Sequence, residues 1–300
     1  MPSPLLLLPD FLLIALGYLL CRYTALNRPI WDGAERLVYY LLFPVLLFTA
    51  IVKNPIELQA LWGVGGSGVA VTLVGIALGL GLAKLPGVDP RLHASGAQVA
   101  FRFNSYIALA LAERLAGAPG LAWQALLTSL VVPMCNIAAV WPLARQGGQG
   151  FFKELAKNPL IIATLSGLVA NLLGLKLPEV AAMTMQRIGQ AALPLGLMAV
   201  GAGLRFGALR EGPGLAAGLL GIRHLVLPAT AIALVLALDL PPAQQAVVVA
   251  FAAMPTASSA YVLAVRMGGH GGYVAGLVTV STLLAMLGLP LALAVLAALR

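Results

Sequence analysis

Long apolar stretches dominate the chain, and short segments between them hold most of its charged residues. A transmembrane helix needs about 20 consecutive apolar residues, whereas a strand of a membrane barrel needs about 10 residues that alternate between apolar and polar. The stretches here are long and do not alternate, so we predict an all-α integral membrane protein with ten transmembrane helices. The predicted spans, numbered in chain order, are residues 5–21, 37–52, 64–82, 98–113, 121–144, 160–175, 188–204, 215–238, 247–265 and 274–299.

The composition strengthens this prediction and excludes other classes of protein. Hydrophobic residues make up 61% of the chain and charged residues 9%, whereas about a quarter of the residues in a soluble protein are charged. The net charge of +8 does not indicate a nucleic-acid partner, because the 18 basic residues are scattered singly, without a basic run that could bind phosphates. The expected partner is the lipid bilayer.

The basic residues also orient the predicted spans. Loops on one side of the spans carry ten lysines and arginines, and those on the other side, with both termini, carry four. Basic residues favour the cytoplasmic side, so we expect a multi-pass protein of the cell (inner) membrane whose two termini are non-cytoplasmic. The segment 146–157 would then be a cytoplasmic linker.

The positions of prolines indicate two related halves. A shift of 150 residues places Pro9 on Pro159 and Pro44 on Pro194, at equivalent places in equivalent spans. Each half has five spans, and this odd number inverts the second half in the membrane. We therefore predict a first five-helix repeat over residues 1–145 and a second, inverted repeat over residues 158–300. In many secondary transporters of this architecture the binding site lies near the midplane, where interrupted helices meet.

Spans four and nine have the most polar interiors and are the predicted interrupted, crossing helices. At 1.5 Å per residue, Asn104 lies about 15 Å inward of Ala94, and Pro255 lies about 18 Å inward of Ala243. Both residues are then near the middle of a hydrocarbon core that is about 30 Å thick. A site at the midplane would therefore include both.

Pro255 lacks an amide hydrogen and its ring clashes with the preceding turn, so it should interrupt span nine. Thr256, Ser258 and Ser259 follow the break, where the N–H groups at the start of a new half-helix could bind an anion. A second interpretation is a simple proline kink, with the hydroxyl groups bonded back to their own helix.

Arg102 is a charge in the interior of span four, where it is costly and therefore calls for a function. It could bind the carboxylate of a substrate, or its side chain could extend back to the cytoplasmic interface. Asn104 is too short to reach the interface, and its amide offers two donors and an acceptor.

Two further groups of polar residues lie within the spans. Asn136 in span five follows Pro133 by three residues and is similarly deep, which favours either a substrate contact or a structural hydrogen bond between helices. Arg223 and His224 lie near the start of span eight, and we expect them at the membrane interface.

Carboxylates are missing from the interiors of spans two to ten. A proton relay of the kind that pumps use would therefore have no acidic groups to act through. Sodium stays open as a coupling ion, because carbonyl oxygens at a broken helix can coordinate it.

The sequence predicts no metal cluster and no cofactor. The serines near Pro255 have no neighbouring histidine or acidic partner, so we do not expect an enzyme.

Several of these segments resemble the bacterial branch of the auxin efflux carrier family, in the bile-acid/sodium symporter-like superfamily. The similarity is carried by residues 101–107, 132–136, 157–159, 253–264 and 281–291, and it runs along the whole chain. It implies ten helices as two inverted five-helix repeats, with crossed, broken helices four and nine between a scaffold and a transport domain. It also implies an elevator-like motion, homodimers and small organic anions as substrates.

The same resemblance implies roles for single residues. Asn104 and Ser105 match the polar pair of the family at the break of span four, and Pro255 matches the crossover proline of span nine. Asn136 matches the polar residue of span five that faces the site. Many members have a Gly-Leu-Pro-like stretch where this chain has Ala108-Leu109-Ala110, so a crossover proline is missing from span four.

The sequence thus predicts a secondary carrier that moves a small carboxylate, such as a dicarboxylate, by alternating access. Two alternatives stay open: a sodium-coupled carrier similar to the bile-acid symporters, and an intramembrane enzyme or ligand sensor. The predicted substrate-binding residues are Arg102, Asn104, Ser105, Asn136, Pro255, Thr256, Ser258 and Ser259.

Overall fold

The computed structural model describes residues 8–53, 61–147, 159–175, 177–204, 211–257 and 259–300, and within these ranges the regular structure is entirely helical. Most of the predicted linker 146–157 lies outside the described residues, as does Ser258. Each of the ten predicted spans contains helix. Four described helices are long and apolar enough to cross a membrane by length and composition alone: Trp62–Lys84, Ile107–Leu143, Pro213–Ala237 and Gly271–Ala298.

The described part of the first half contains six helices. A single π-helical turn, Val38–Leu42, joins the second helix to the third, another, Leu61–Gly65, leads into the fourth, and a 3₁₀ turn, Ala97–Ala100, extends the fifth. The helices are α1 (Leu8–Tyr23), α2 (Arg28–Leu37), α3 (Phe43–Lys53), α4 (Gly66–Gly81), α5 (Pro90–Gly96) and α6 (Ser105–Gly147).

The described part of the second half contains eight helices, because three regions, those of spans seven, eight and nine, each consist of two helices. A π-helical turn, Ile222–Val226, joins the tenth helix to the eleventh. The helices are α7 (Pro159–Leu172), α8 (Glu179–Gln190), α9 (Ala192–Ala202), α10 (Pro213–Gly221), α11 (Leu227–Ala237), α12 (Pro242–Ala252), α13 (Ser259–Arg266) and α14 (Gly271–Ala298).

Helix α6 covers the end of predicted span four and the whole of span five, and it is bent between them. Ala116 and Gly117 have non-helical backbone angles, and φ of Gly117 is +61°, a conformation that glycine adopts without strain. Pro119 follows, near the start of the second part, where its missing N–H leaves no hydrogen bond unmade. The two predicted spans are therefore two helical parts joined at this bend.

The helices form two groups. In the first bundle, which we define as α1–α3 and α7–α9, α1 packs against α9 and α3 packs against α7 and α8. The second bundle comprises α4–α6 and α10–α14, and it holds most of the largest buried apolar cluster. Residues 247–254 of this bundle are all buried. The main contacts between the two bundles are made by α6.

Two glycines allow α1 and α9 to approach closely. A Cβ atom on Gly17 would overlap the main chain of Met198, and one on Gly201 would overlap the carbonyl group of Ile14. The obstacles are backbone atoms, which cannot move aside as a flexible side chain can. Close backbone contact between small residues is a common way to hold helices together in a membrane.

The variant Gly201→Ala should therefore be less stable than the wild type. The added methyl group must push α1 away from α9, and such overpacking costs about 1–3 kcal/mol. Gly33→Ala is the matched control: Gly33 lies in α2, and a Cβ atom there meets nothing within 4 Å. The control should be as stable as the wild type or up to about 1 kcal/mol more stable. Thermal unfolding of the purified proteins in detergent measures both, and equal melting temperatures would contradict this packing.

Candidate functional site

Span four is interrupted although it has no proline at the break. Its 3₁₀ turn ends at Ala100, residues 101–104 are non-helical, and α6 begins at Ser105. The side-chain oxygen Oδ1 of Asn104 accepts a hydrogen bond from the amide of Ile107 at 3.2 Å. Asparagine is a preferred residue at this capping position because its side chain bonds to an N–H of the first turn. The cap starts the new half-helix, so the crossover proline is not required.

Span nine is interrupted at the predicted place. Helix α12 ends at Ala252, residues 253–257 are non-helical, and α13 begins at Ser259. The amide of Thr256 donates to the hydroxyl oxygen of Ser281 in α14 at 2.9 Å. Thr256 is thus held by another helix, and the interpretation of span nine as a simple proline kink is wrong.

The two breaks contact each other. The main-chain N–H of Asn104 donates a hydrogen bond to the carbonyl oxygen of Pro255 at 2.8 Å. Beside this bond, the rings of Phe103 and Phe251 pack edge to face with centroids 4.7 Å apart. The two breaks therefore meet at Asn104 and Pro255, and we call the residues around this contact the crossing.

The Arg102 side chain points into the crossing. One guanidinium nitrogen, Nη2, donates to Oδ1 of Asn136 at 3.1 Å and to the hydroxyl oxygen of Ser259 at 3.2 Å, and Nη1 donates to Oε1 of Gln98 at 3.2 Å. The interpretation in which this side chain extends back to the interface is therefore wrong. Arg102 joins span four to span five and to the second half of span nine.

The partners of Arg102 among the described residues are all uncharged. Ion pairs form in other parts of the described chain, for example between Arg28 and both Asp32 and Glu35, and between His270 and Glu211. The positive charge of Arg102 is half-buried, and within the described part of the chain it is not neutralised by a carboxylate.

The buried polar atoms at the crossing include two that have no hydrogen-bond partner among the described residues. They are the amide nitrogen Nδ2 of Asn136 and the hydroxyl oxygen Oγ1 of Thr256, and the two residues are 8% and 0% exposed. Buried polar groups without a partner are rare in proteins and call for an explanation. Asn136 therefore makes the structural bond between helices that we considered, and it also keeps a donor available.

The remaining predicted site residues are placed as follows. Ser105 is the first residue of α6 and Ser259 the first residue of α13, so each lies at the start of a half-helix. Ser258 lies outside the described residues. The structure thus brings together Arg102, Asn104, Ser105, Asn136, Pro255, Thr256 and Ser259 around one crossing.

Arg223 and His224 were expected at the membrane interface, and this prediction is wrong. Arg223 is 1% exposed, and it bonds to carbonyl oxygens at the end of α12. His224 is half-buried, and its Nε2 lies 2.8 Å from the hydroxyl oxygen of Ser281. Arg223 lies about 12 Å along the helix from the predicted start of span eight. The depth estimate that singled out Asn104 would therefore have singled out Arg223 as well.

Three other residues at the crossing were not predicted. Gln98 accepts from Arg102 and donates to the carbonyl oxygen of Ala260 at 3.1 Å, so it also joins spans four and nine. Ser281 bonds to Thr256, and the thiol of Cys135 lies 3.5 Å from the carbonyl oxygen of Phe101. These contacts link distant parts of the chain, and no local sequence pattern indicates them.

Comparison with known proteins identifies the family. A family model described as "Membrane transport protein" matches residues 143–293, about half of the chain. The chain belongs to this family of membrane transport proteins, which is the auxin efflux carrier family. A protein of Rhizobium meliloti (strain 1021) named "Putative malonate transporter" is 27% identical to the chain over 308 residues, which cover 94% of the chain and 92% of that protein.

These similarities confirm the family that the sequence motifs indicate. They also confirm that the protein is a multi-pass membrane transporter and not an enzyme. The polar crossing is therefore the candidate site of a transporter.

Ser281→Ala should destabilise the protein, because it removes the acceptor of the buried Thr256 amide. An unsatisfied buried donor costs about 1–3 kcal/mol. Thr282→Val is the matched control, since Thr282 is equally buried but its hydroxyl bonds only to the carbonyl of Val278 in its own helix. Thermal unfolding in detergent should show a lower melting temperature for Ser281→Ala than for Thr282→Val. The reverse order would contradict the role of Ser281 in holding the break.

Proposed function

We propose that the protein is a secondary carrier of a small organic anion, and that it binds a dicarboxylate at the crossing of spans four and nine. The observation that carries this proposal is Arg102, whose half-buried guanidinium has only uncharged partners among the described residues. A buried charge without a counter-ion is costly. An anionic substrate supplies the missing charge when it binds.

The groups around Arg102 suit a carboxylate. Nδ2 of Asn136 is a buried donor without a described partner, and the hydroxyl group of Thr256 is a second such group. Helices α6 and α13 both begin at the crossing, and the first N–H groups of a helix favour an anion. One guanidinium, two neutral groups and two helix starts thus surround the same place.

The relative from Rhizobium meliloti supports a dicarboxylate as the substrate. Its name assigns malonate to that protein, and the two chains are similar over almost their whole length. Malonate carries two carboxylates on one carbon atom, so a compact site can bind both groups. Malonate is therefore the first substrate to test.

The arrangement in the membrane is proposed to be two inverted repeats of five helices each, residues 1–145 and 158–300, joined by the cytoplasmic linker 146–157, with both termini non-cytoplasmic. The packing of the first bundle supports this symmetry: span one contacts span seven through α1 and α9, and span two contacts span six through α3 and α7. Such reciprocal contacts are expected when two repeats are related by a pseudo-two-fold axis.

Alternating access is proposed to occur by an elevator-like motion of the second bundle against the first. Both breaks belong to the second bundle, so the groups around the crossing can move together. The first bundle, with its close contact between α1 and α9, suits a static scaffold. The proposed homodimer rests on the resemblance to the family.

Arg102→Gln should abolish transport of malonate, because the anion loses its charge partner. Arg187→Gln removes the same charge from an exposed position in α8 and is the matched control. Uptake of radiolabelled malonate into proteoliposomes should fall to the level of protein-free liposomes for Arg102→Gln and stay near the wild-type level for the control. Equal uptake by all three proteins would exclude Arg102 from the site.

Asn136→Asp tests the same site without removing the arginine. The new carboxylate would lie about 3 Å from Nη2 of Arg102, within the range of a strong ion pair, and it would compete with the substrate. In a thermal-shift assay, malonate should raise the melting temperature of the wild type more than acetate does, and it should have no effect on Asn136→Asp. Stabilisation of the variant by malonate would overturn this placement of the substrate.

A further inference from the structure

A helix that ends inside the membrane leaves carbonyl groups without a helical partner. Its last four carbonyls have no N–H donor from the helix, and together they carry a partial negative charge of about half an electron. In transporters with broken helices, such carbonyl oxygens can coordinate Na⁺. Helix α12 ends at Ala252 in the crossing, so its carbonyl end is a place where a coupling cation could bind.

Arg223 occupies this place. Its side chain comes from the π-helical turn Ile222–Val226 of span eight. Nε donates to the carbonyl oxygen of Met254 at 2.7 Å, and Nη2 donates to the carbonyl oxygen of Phe251 at 3.2 Å. The residue is 1% exposed, so its charge faces these carbonyls and not the solvent.

The other main-chain groups around Pro255 also have protein partners. The carbonyl oxygen of Pro255 accepts from the amide of Asn104, and the amide of Thr256 donates to Ser281. Together with the carbonyl of Met254, three consecutive residues of the break are bonded to groups from spans four, eight and ten. A cation would have to displace Arg223 to reach the carbonyl oxygens of Phe251 and Met254.

We propose that the guanidinium group of Arg223 is a built-in substitute for a coupling monovalent cation, and that the carrier therefore works without Na⁺ or K⁺. This inference rests on the proposed function, because it concerns how the carrier is driven. It also distinguishes this chain from a sodium-coupled carrier, the alternative that the sequence left open. Arg223 is a positioning residue: it fixes the break of span nine and does not contact the substrate.

Among the described residues, the break of span four lacks a comparable arginine contact. At this break the carbonyl oxygen of Phe101 accepts from the thiol of Cys135 at 3.5 Å, and a thiol is a weak, uncharged donor. The arginine of that span, Arg102, is directed to Asn136 and Ser259 instead. One arginine thus neutralises a helix end, and the other is left for the anion. The described residues contain no cluster of acidic, histidine or cysteine side chains suited to a metal ion.

The first test uses the wild type and needs no substrate. Its melting temperature in detergent should be the same in sodium, potassium and choline chloride at equal ionic strength. Malonate uptake into proteoliposomes should likewise be unchanged when external Na⁺ is replaced by choline. A melting temperature that is higher in Na⁺ or K⁺ than in choline, or an uptake that requires either ion, would overturn the proposal.

The second test removes the built-in cation. Arg223→Ala should have a lower melting temperature, and its malonate uptake should fall at least about tenfold, because buried carbonyls lose their donors. Millimolar methylguanidinium should partly restore both, and the melting temperature should now depend on Na⁺. Arg187→Ala, which lacks an exposed guanidinium, should show no such response. A folded Arg223→Ala that responds to neither cation would mean that Arg223 only fills space, which overturns the proposal.

Two further variants cover the case in which Arg223→Ala does not fold. Arg223→Lys keeps the charge and Arg223→Gln removes it, and both side chains are long and polar. The proposal requires the lysine variant to be the more stable of the two and the glutamine variant to be stabilised by methylguanidinium. Because the melting temperatures are measured without malonate, they test Arg223 even if malonate is not the substrate. Failure of the wild type to bind or transport malonate would contradict only the proposed function.

Discussion

Main-chain groups at a helix end inside the hydrocarbon have no water to bond to, so each must find a partner within the protein. Here two helices end at the same place, and each supplies part of what the other lacks. The amide of Asn104 bonds to the carbonyl of Pro255, and side chains from spans eight and ten bond to the other groups at the second break. The polar crossing follows from this requirement, and every candidate substrate contact is arranged around it.

The same requirement separates the two buried arginines. Arg223 is fully buried and bonded to carbonyl oxygens, so its charge is used to stabilise the fold. Arg102 is half-buried and bonded to neutral oxygens that leave much of its charge uncompensated. The guanidinium of Arg102 can therefore attract an anion, whereas that of Arg223 does not. The proposed carrier therefore needs both arginines, but for different reasons.

Much of this site could be predicted from the sequence, because membrane depth and proline chemistry are local properties. Apolar length located the helices, Pro255 located one break, and depth singled out Asn104 and Asn136. The inward direction of Arg223 and the contact of Ser281 with Thr256 could not be predicted, because they depend on how the helices face each other. The break of span four was predicted without a mechanism, since the span lacks a crossover proline, and it is the side chain of Asn104 that starts the second half-helix by capping it.

The bond between Asn104 and Pro255 has a consequence for the direction of transport. It ties the two breaks together, so in the proposed elevator-like motion the groups around the crossing keep their mutual positions whichever side of the membrane they face. In the proposed carrier, a substrate then meets the same contacts, and has the same intrinsic affinity, on both sides. Such a carrier is reversible: the concentrations and the voltage across the membrane decide whether the cell takes up the anion or releases it.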